Sequence, residues 1–301
     1  MVKYQKWIDK NTHKLKNKLV ILVGATGSTG SKLLDYLLYL EANVIIAARN
    51  INKALSLKNK MLLKYPNAQI YVEHLDISSL ESIDLFQLNI DKKYPKADFF
   101  VNNSGVYHLP NSFSKDGYEI HFATNNLGAY YLTKKILFNL NSHAKIVLVG
   151  SLSYRFYKID YSDIQSTRTN KKMRKYAISK RILMLNAQFI KEQLEPYKYS
   201  VNIAHPGICA TQLFDEGHSK FFKIFIKPIM KVLFHKPDKA ALSLLKAMFE
   251  DTKIGEWIGP RGLFHVWGYP KVSKLHKSIC NKESYLKVNK ITEDMIVKHK
   301  C

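Results

Sequence analysis

The chain has 301 residues, 46% of them hydrophobic, enough to bury a full core in one large domain or two small ones. Its formal charge is +23, yet only six of the 47 basic residues are arginines, so the excess is one of lysine. Nucleic-acid readers and phosphate clamps lean on arginine forks, which argues against a nucleic-acid partner and leaves a lysine-biased composition as the simpler source of the charge. Cys209, Cys280 and Cys301 provide neither a disulfide framework nor a C-x-x-C pair. No run of about 18 apolar residues occurs, and residues 1–17 lack a signal-peptide core, so a cytoplasmic protein that does not span a membrane is expected.

In chain order, the apolar run Leu19 to Val23 ends in glycines. It is followed by the helical pattern Leu33, Leu34, Leu37, Leu38 and by a second apolar run, Val44 to Ala48. A lysine-rich helix around Lys53 to Lys64 and a strand near Gln69 to His74 complete another cycle. Further strands are predicted at Asp98 to Asn102, Lys145 to Gly150 and Ser200 to Ala204, separated by helical segments around Glu119 to Phe138 and Lys175 to Leu194. Such alternation predicts an α/β chain with a parallel sheet covered on both faces. Trp257 to Phe264 reads as the last strand and its turn, and Lys282 to Lys300 as a final helix. We therefore expect an N-terminal extension (1–17), one domain (18–270) and a C-terminal helical tail (271–301).

Gly24-Ala25-Thr26-Gly27-Ser28-Thr29-Gly30 has the form G-x-x-G-x-x-G and sits between a strand and a helix. Glycines there allow a tight turn and let backbone N–H groups approach a pyrophosphate, with the helix N-terminus adding partial positive charge. At the end of the second strand, where an acidic residue would bond ribose hydroxyls, stands Arg49. A guanidinium there pairs with a 2′-phosphate, so NADP(H) is favoured over NAD(H).

Tyr176 and Lys180 are four residues apart and share a helix face. An ammonium beside a phenol stabilises the phenolate and lowers its pKa from about 10, fitting the tyrosine for proton transfer at neutral pH. The eleven histidines show no H-E-x-x-H or comparable ligand spacing, so no metal is expected.

These features stand in one order with Leu75-Asp76-Ile77, Asn102-Asn103-Ser104-Gly105, Asn125-Asn126-Leu127-Gly128, Ser151 and Pro206-Gly207 with Thr211. From about Lys18 to Phe214 the chain thereby resembles the short-chain dehydrogenase/reductase family. The resemblance implies a three-layer Rossmann-type doubly wound sheet in a single domain, and a role for each position. Ser151 would hydrogen-bond the reacting oxygen, Tyr176 would exchange the proton, and Lys180 would hold the nicotinamide ribose. Asn125 would interrupt its helix and position water behind Lys180. Asp76 would reach the adenine and Asn103 would line the cofactor cleft, with Ile77, Ser104 and Gly105 also among the residues that bind the cofactor. Pro206, Gly207 and Thr211 would close over the nicotinamide. The substrate would be a small molecule bearing a carbonyl or alcohol, and association into a homo-oligomer through the long helices is common in the family.

The gap between Ser151 and Tyr176 exceeds the family's usual one, which resembles the retinol-dehydrogenase-like branch. The insert, Tyr154 to Lys175, reads either as an aromatic rim for a lipophilic or anionic substrate or as a solvated loop with packed aromatics. Lys220 to Phe234, within a substrate lid of about 212–236, reads as a lid or core helix, with peripheral membrane docking as its alternative. Two rival functions stay open. The glycine spacing also resembles that of enzymes acting on nucleotide sugars, with epimerase-like chemistry. The charge alone favours a non-catalytic dinucleotide-sensing or RNA-binding protein.

Overall fold

The computed structural model describes residues 2–107, 109–207, 236–262 and 265–300. The expected lid (Lys220 to Phe234) and Thr211 lie outside them. The first elements are α1 (Gln5–Asn11), β1 (Leu19–Val23), α2 (Ser28–Tyr39), β2 (Asn43–Ala48), α3 (Ile51–Lys64), β3 (Ile70–His74), α4 (Leu80–Lys93) and β4 (Ala97–Asn102). Then come α5 (Ile120–Phe122), a π-helical turn (Ala123–Leu127), α6 (Gly128–Ile136), β5 (Leu140–Val149), α7 (Lys172–Leu194) and β6 (Ser200–Ala204). The chain closes with α8 (Pro237–Phe249), β7 (Glu256–Pro260), β8 (Pro270–Lys274), α9 (Lys277–Cys280) and α10 (Lys282–Lys300).

Among the described residues the strands form one sheet in the order β3-β2-β1-β4-β5-β6-β7-β8. All neighbours are parallel except β7 and β8. The antiparallel β8 was not foreseen, and the expected last strand is confined to β7. Every residue of β1 is buried, because helices cover both sides of a central strand and leave no polar face. One face carries a core that includes Phe86, Tyr130, Ile182 and Val288, from α4, α6, α7 and α10. The other carries a core that includes Leu33, Leu37, Ala54 and Leu245, from α2, α3 and α8. Ile8 and Leu15 are buried in this second core, and Trp7 stacks on Tyr269 with ring centroids 5.9 Å apart. This is the three-layer, doubly wound, single-domain Rossmann-type fold that the sequence predicts.

After β1 the chain builds outward to β2 and β3; it then returns to β4 on the other side of β1 and continues outward. The carboxyl ends of β1 and β4 therefore diverge at a topological switch point, where doubly wound sheets open a crevice.

Candidate active site

The glycine turn follows β1 into that crevice. Gly24 has φ +78°, and a Cβ there would lie 2.8 Å from the Asn103 carbonyl carbon. A Cβ at Gly30 would fall 2.1 Å from the Gly24 carbonyl oxygen, so any larger residue would push α2 off the turn. Asn103, just past β4, fastens the turn by donating from its side-chain amide to the Gly24 carbonyl at 3.2 Å. Gly27 caps α2 without a side-chain acceptor, which leaves first-turn N–H groups to bind an anion.

A cavity of about 910 Å³ runs from this turn along the carboxyl ends of the strands. Gly24, Thr26, Gly27, Ser28, Thr29, Arg49, Asp76, Ile77, Asn103, Ser104 and Gly105 border it, and so do Ser151, Tyr176, Lys180, Pro206 and Gly207. Gly30 and Asn125 stand behind this lining. Arg49 is exposed and no carboxylate pairs with it among the described residues. One oxygen of Asp76 accepts from the Ser78 backbone N–H at 3.0 Å and from its hydroxyl at 2.7 Å, which fixes that carboxylate at the end of β3.

The other end of the cavity is built by β5 and α7. Ser151 caps a short 3-10 turn, Leu152–Arg155, and its Oγ lies 3.0 Å from the Ser153 hydroxyl. Tyr176 and Lys180 are one helical turn apart on α7. Lys180 is buried; its Nζ donates to the Val149 carbonyl at 2.8 Å, and desolvation pulls its pKa down to about 8. The Tyr176 ring meets Tyr107 edge-on, with centroids 4.8 Å apart.

Asn125 lies in the π-helical turn between α5 and α6, an interruption of the predicted kind. Its amide donates to the Val106 carbonyl at 2.9 Å and to Ser179 Oγ at 3.0 Å, while its oxygen accepts from the Val106 N–H at 2.7 Å. A Cβ at Gly105 would stand 3.2 Å from both Asn125 Oδ1 and Lys180 Nζ. Glycine at 105 thus lets the segment after β4 pass between these two groups.

Other residues on the cavity wall were not singled out from the sequence: Tyr107, Leu152, Ser153, Met173, His205 and Val266. Four of them sit within two positions of a motif, Tyr107 after Gly105, Leu152 and Ser153 after Ser151 and His205 before Pro206, and that adjacency was the available signal. The insert after Ser151 is divided. Tyr154 is fully buried and edge-on to Trp257, and Tyr161 lies under the Lys287 ammonium, 4.1 Å from its centroid. Of its four aromatics only Phe156 borders the cavity, joined by Arg155 and Met173.

A buried polar group beside the site was also missed. Glu119 caps α5 by accepting from the His121 and Phe122 N–H groups, both at 2.9 Å. Its other oxygen lies 2.8 Å from His121 Nδ1 and 3.7 Å from Lys175 Nζ. The cluster joins the start of the Asn125 helix to the residue before Tyr176.

Comparison with known proteins agrees with this architecture. The family model described as short chain dehydrogenase matches residues 18–220. Retinol dehydrogenase 14 of Mus musculus is 31% identical over 231 residues, 73% of this chain and 68% of that protein. Short-chain dehydrogenase TIC 32 B, chloroplastic, of Brassica napus is 31% identical over 257 residues, 80% of each chain. Polyprenol dehydrogenase of Danio rerio is 29% identical over 240 residues, covering 76% of this chain and 73% of that one. Among solved structures, an uncharacterised protein from Mycobacterium paratuberculosis has the same fold, with a TM-score of 0.75 at 22% identity and 94% of each chain covered. An alcohol dehydrogenase from Thermococcus sibiricus complexed with 5-hydroxy-NADP superposes with a TM-score of 0.58 at 16% identity, over 77% of this chain and 90% of that one. The chain belongs to the short-chain dehydrogenase/reductase family of oxidoreductases, in its retinol-dehydrogenase-like branch.

Proposed function

We propose that this chain interconverts a carbonyl and an alcohol with NADP(H), and that Tyr176 gives and takes the proton. The observation that carries the reading is that Ser151, Tyr176 and Lys180 border the same cavity as the glycine turn and Arg49. The glycine cradle and the N-terminus of α2 suit a pyrophosphate, and Arg49 suits a 2′-phosphate. Bound there, the dinucleotide supplies or accepts the hydride.

The chain's own residues do the rest. The Ser151 hydroxyl donates to the carbonyl oxygen and holds it as negative charge develops. Tyr176 Oη protonates that oxygen in reduction and takes the proton back in oxidation. The Lys180 ammonium, one helical turn away, stabilises the phenolate. Lys180 and Asn125 flank Gly105 and form the route by which the phenolate regains its proton from solvent. The relatives named as retinol and polyprenol dehydrogenases support the alcohol and carbonyl class.

The test is NADPH oxidation and NADP-linked alcohol oxidation by the purified protein over a panel of aldehydes, ketones and alcohols, with Tyr176→Phe as control. Turnover in the wild type and its loss in the variant is expected. Turnover that survives in Tyr176→Phe, or no binding of either dinucleotide, overturns the reading.

A further inference from the structure

At the catalytic end of the cavity one charged side chain has no part in the chemistry above. The wall there is formed by Tyr107, Leu152, Phe156 and Met173, and Arg155 stands among them. Arg49 and Asp76 follow β2 and β3 at the glycine-turn end, and Lys180 is turned onto the Val149 carbonyl. Arg155 is exposed, and no carboxylate pairs with it among the described residues.

Its orientation is nevertheless fixed. Arg155 Nε donates to Tyr154 Oη at 3.1 Å, and the guanidinium carbon lies 5.5 Å from the centre of that ring. Tyr154 cannot follow a mobile arginine, because it is fully buried against Trp257 and its Oη also accepts from the His276 backbone N–H at 3.1 Å. With Nε occupied, the two terminal nitrogens keep their N–H donors in one plane, the geometry that grips a carboxylate or a phosphate. An apolar wall beside such a fork fits an amphiphilic anion.

Building on the oxidoreductase reading above, we propose that Arg155 selects substrates carrying an anionic group, carboxylate or phosphate, at the end remote from the reacting carbon. The apolar wall takes the body of the substrate, and Ser151 and Tyr176 take its carbonyl or alcohol.

The test uses three matched aldehydes: 4-formylbenzoate, 4-formylphenyl phosphate and methyl 4-formylbenzoate. Binding is measured by calorimetry with and without saturating NADP+, and reduction is followed with NADPH. The expected result is that at least one anion binds about tenfold or more tighter than the ester, in line with a charge-assisted hydrogen bond. That preference falls below about twofold in Arg155→Met and is partly kept in Arg155→Lys, which retains charge without the fork. Whichever anion is preferred identifies the headgroup. Equal binding of all three, no binding of any, or a preference that survives in Arg155→Met overturns the inference. Anion preference without reduction of any aldehyde supports Arg155 and counts against the oxidoreductase reading. Equal reduction of all three leaves the oxidoreductase and removes the role of Arg155.

Discussion

Lys175 and Glu119 are both buried, and the ammonium of the first stands 3.7 Å from a carboxylate oxygen of the second, one residue before Tyr176. The same carboxylate caps α5, so a single group ties the Asn125 helix to α7. Removing one member of such a pair leaves the other charge buried without compensation. Glu119→Ala is therefore expected to cost about 3–5 kcal/mol of stability, measured by urea unfolding. Adding Lys175→Met to that variant should restore part of the loss, since it removes the stranded charge. A double variant no more stable than Glu119→Ala would contradict the pairing.

Lys180 makes stability depend on pH in a defined direction. Its pKa is about 8 in the folded chain against an ordinary 10.5, because burial disfavours the ammonium. Between those values the unfolded chain holds more protons, so stability rises with pH across that window. Below about pH 8 both states are protonated, and the folded protein carries the full cost of the buried cation. Burial also pulls Lys191 down to about 8, so urea unfolding of the dinucleotide-free protein from pH 7 to 10 should show stability rising less steeply in Lys180→Met than in the wild type, by at most about 1.4 kcal/mol per pH unit. A wild-type curve parallel to that of the variant would refute the assignment.

The glycines of the first turn are not equivalent. A Cβ at Gly30 would meet backbone at 2.1 Å, whereas one at Gly27 would meet nothing nearer than 3.5 Å. Gly30→Ala is expected to lower the melting temperature and abolish dinucleotide binding together. Gly27→Ala is expected to keep the melting temperature and weaken binding alone, because its added methyl meets only an ordinary contact at 3.5 Å and stands at the cap of α2, where the pyrophosphate is proposed to bind. Thermal unfolding and a fluorescence titration with NADPH separate the two outcomes.

Arg49 tests the choice of dinucleotide. Losing a charge-assisted hydrogen bond, worth about 1.5–3 kcal/mol, should weaken NADPH binding about 10- to 100-fold in Arg49→Ala. NADH, which lacks the 2′-phosphate, should change less than about threefold. Parallel losses for the two dinucleotides would show that Arg49 does not read the phosphate.

Much of the site was legible because its parts are local. The glycine turn needs seven consecutive residues, and Tyr176 with Lys180 needs one helical turn. Tyr154 was harder to place. It and Phe156 have the same local chemistry, yet Tyr154 is wholly buried while Phe156 is 66% exposed on the cavity wall. The difference comes from Trp257 and His276, more than 100 positions away, which receive the Tyr154 ring and hydroxyl. Glu119 and Lys175 were invisible as a pair for the same reason, since neither carries a local signal that it will be buried opposite the other.

The sequence by itself determined the order of strands and helices, the glycine turn between the first strand and helix, and the residues proposed to move a proton. Apolar runs and glycines act through neighbours a few residues away, so their consequences can be read without the fold. Only the tertiary structure decided where those groups meet. The reversal of strand order between β1 and β4 opens the crevice. Gly105 passes between Asn125 and Lys180, and the buried Tyr154 holds Arg155 through its hydroxyl. Each of these depends on contacts between distant segments, which form only when the sheet and both helical layers have closed around a common core.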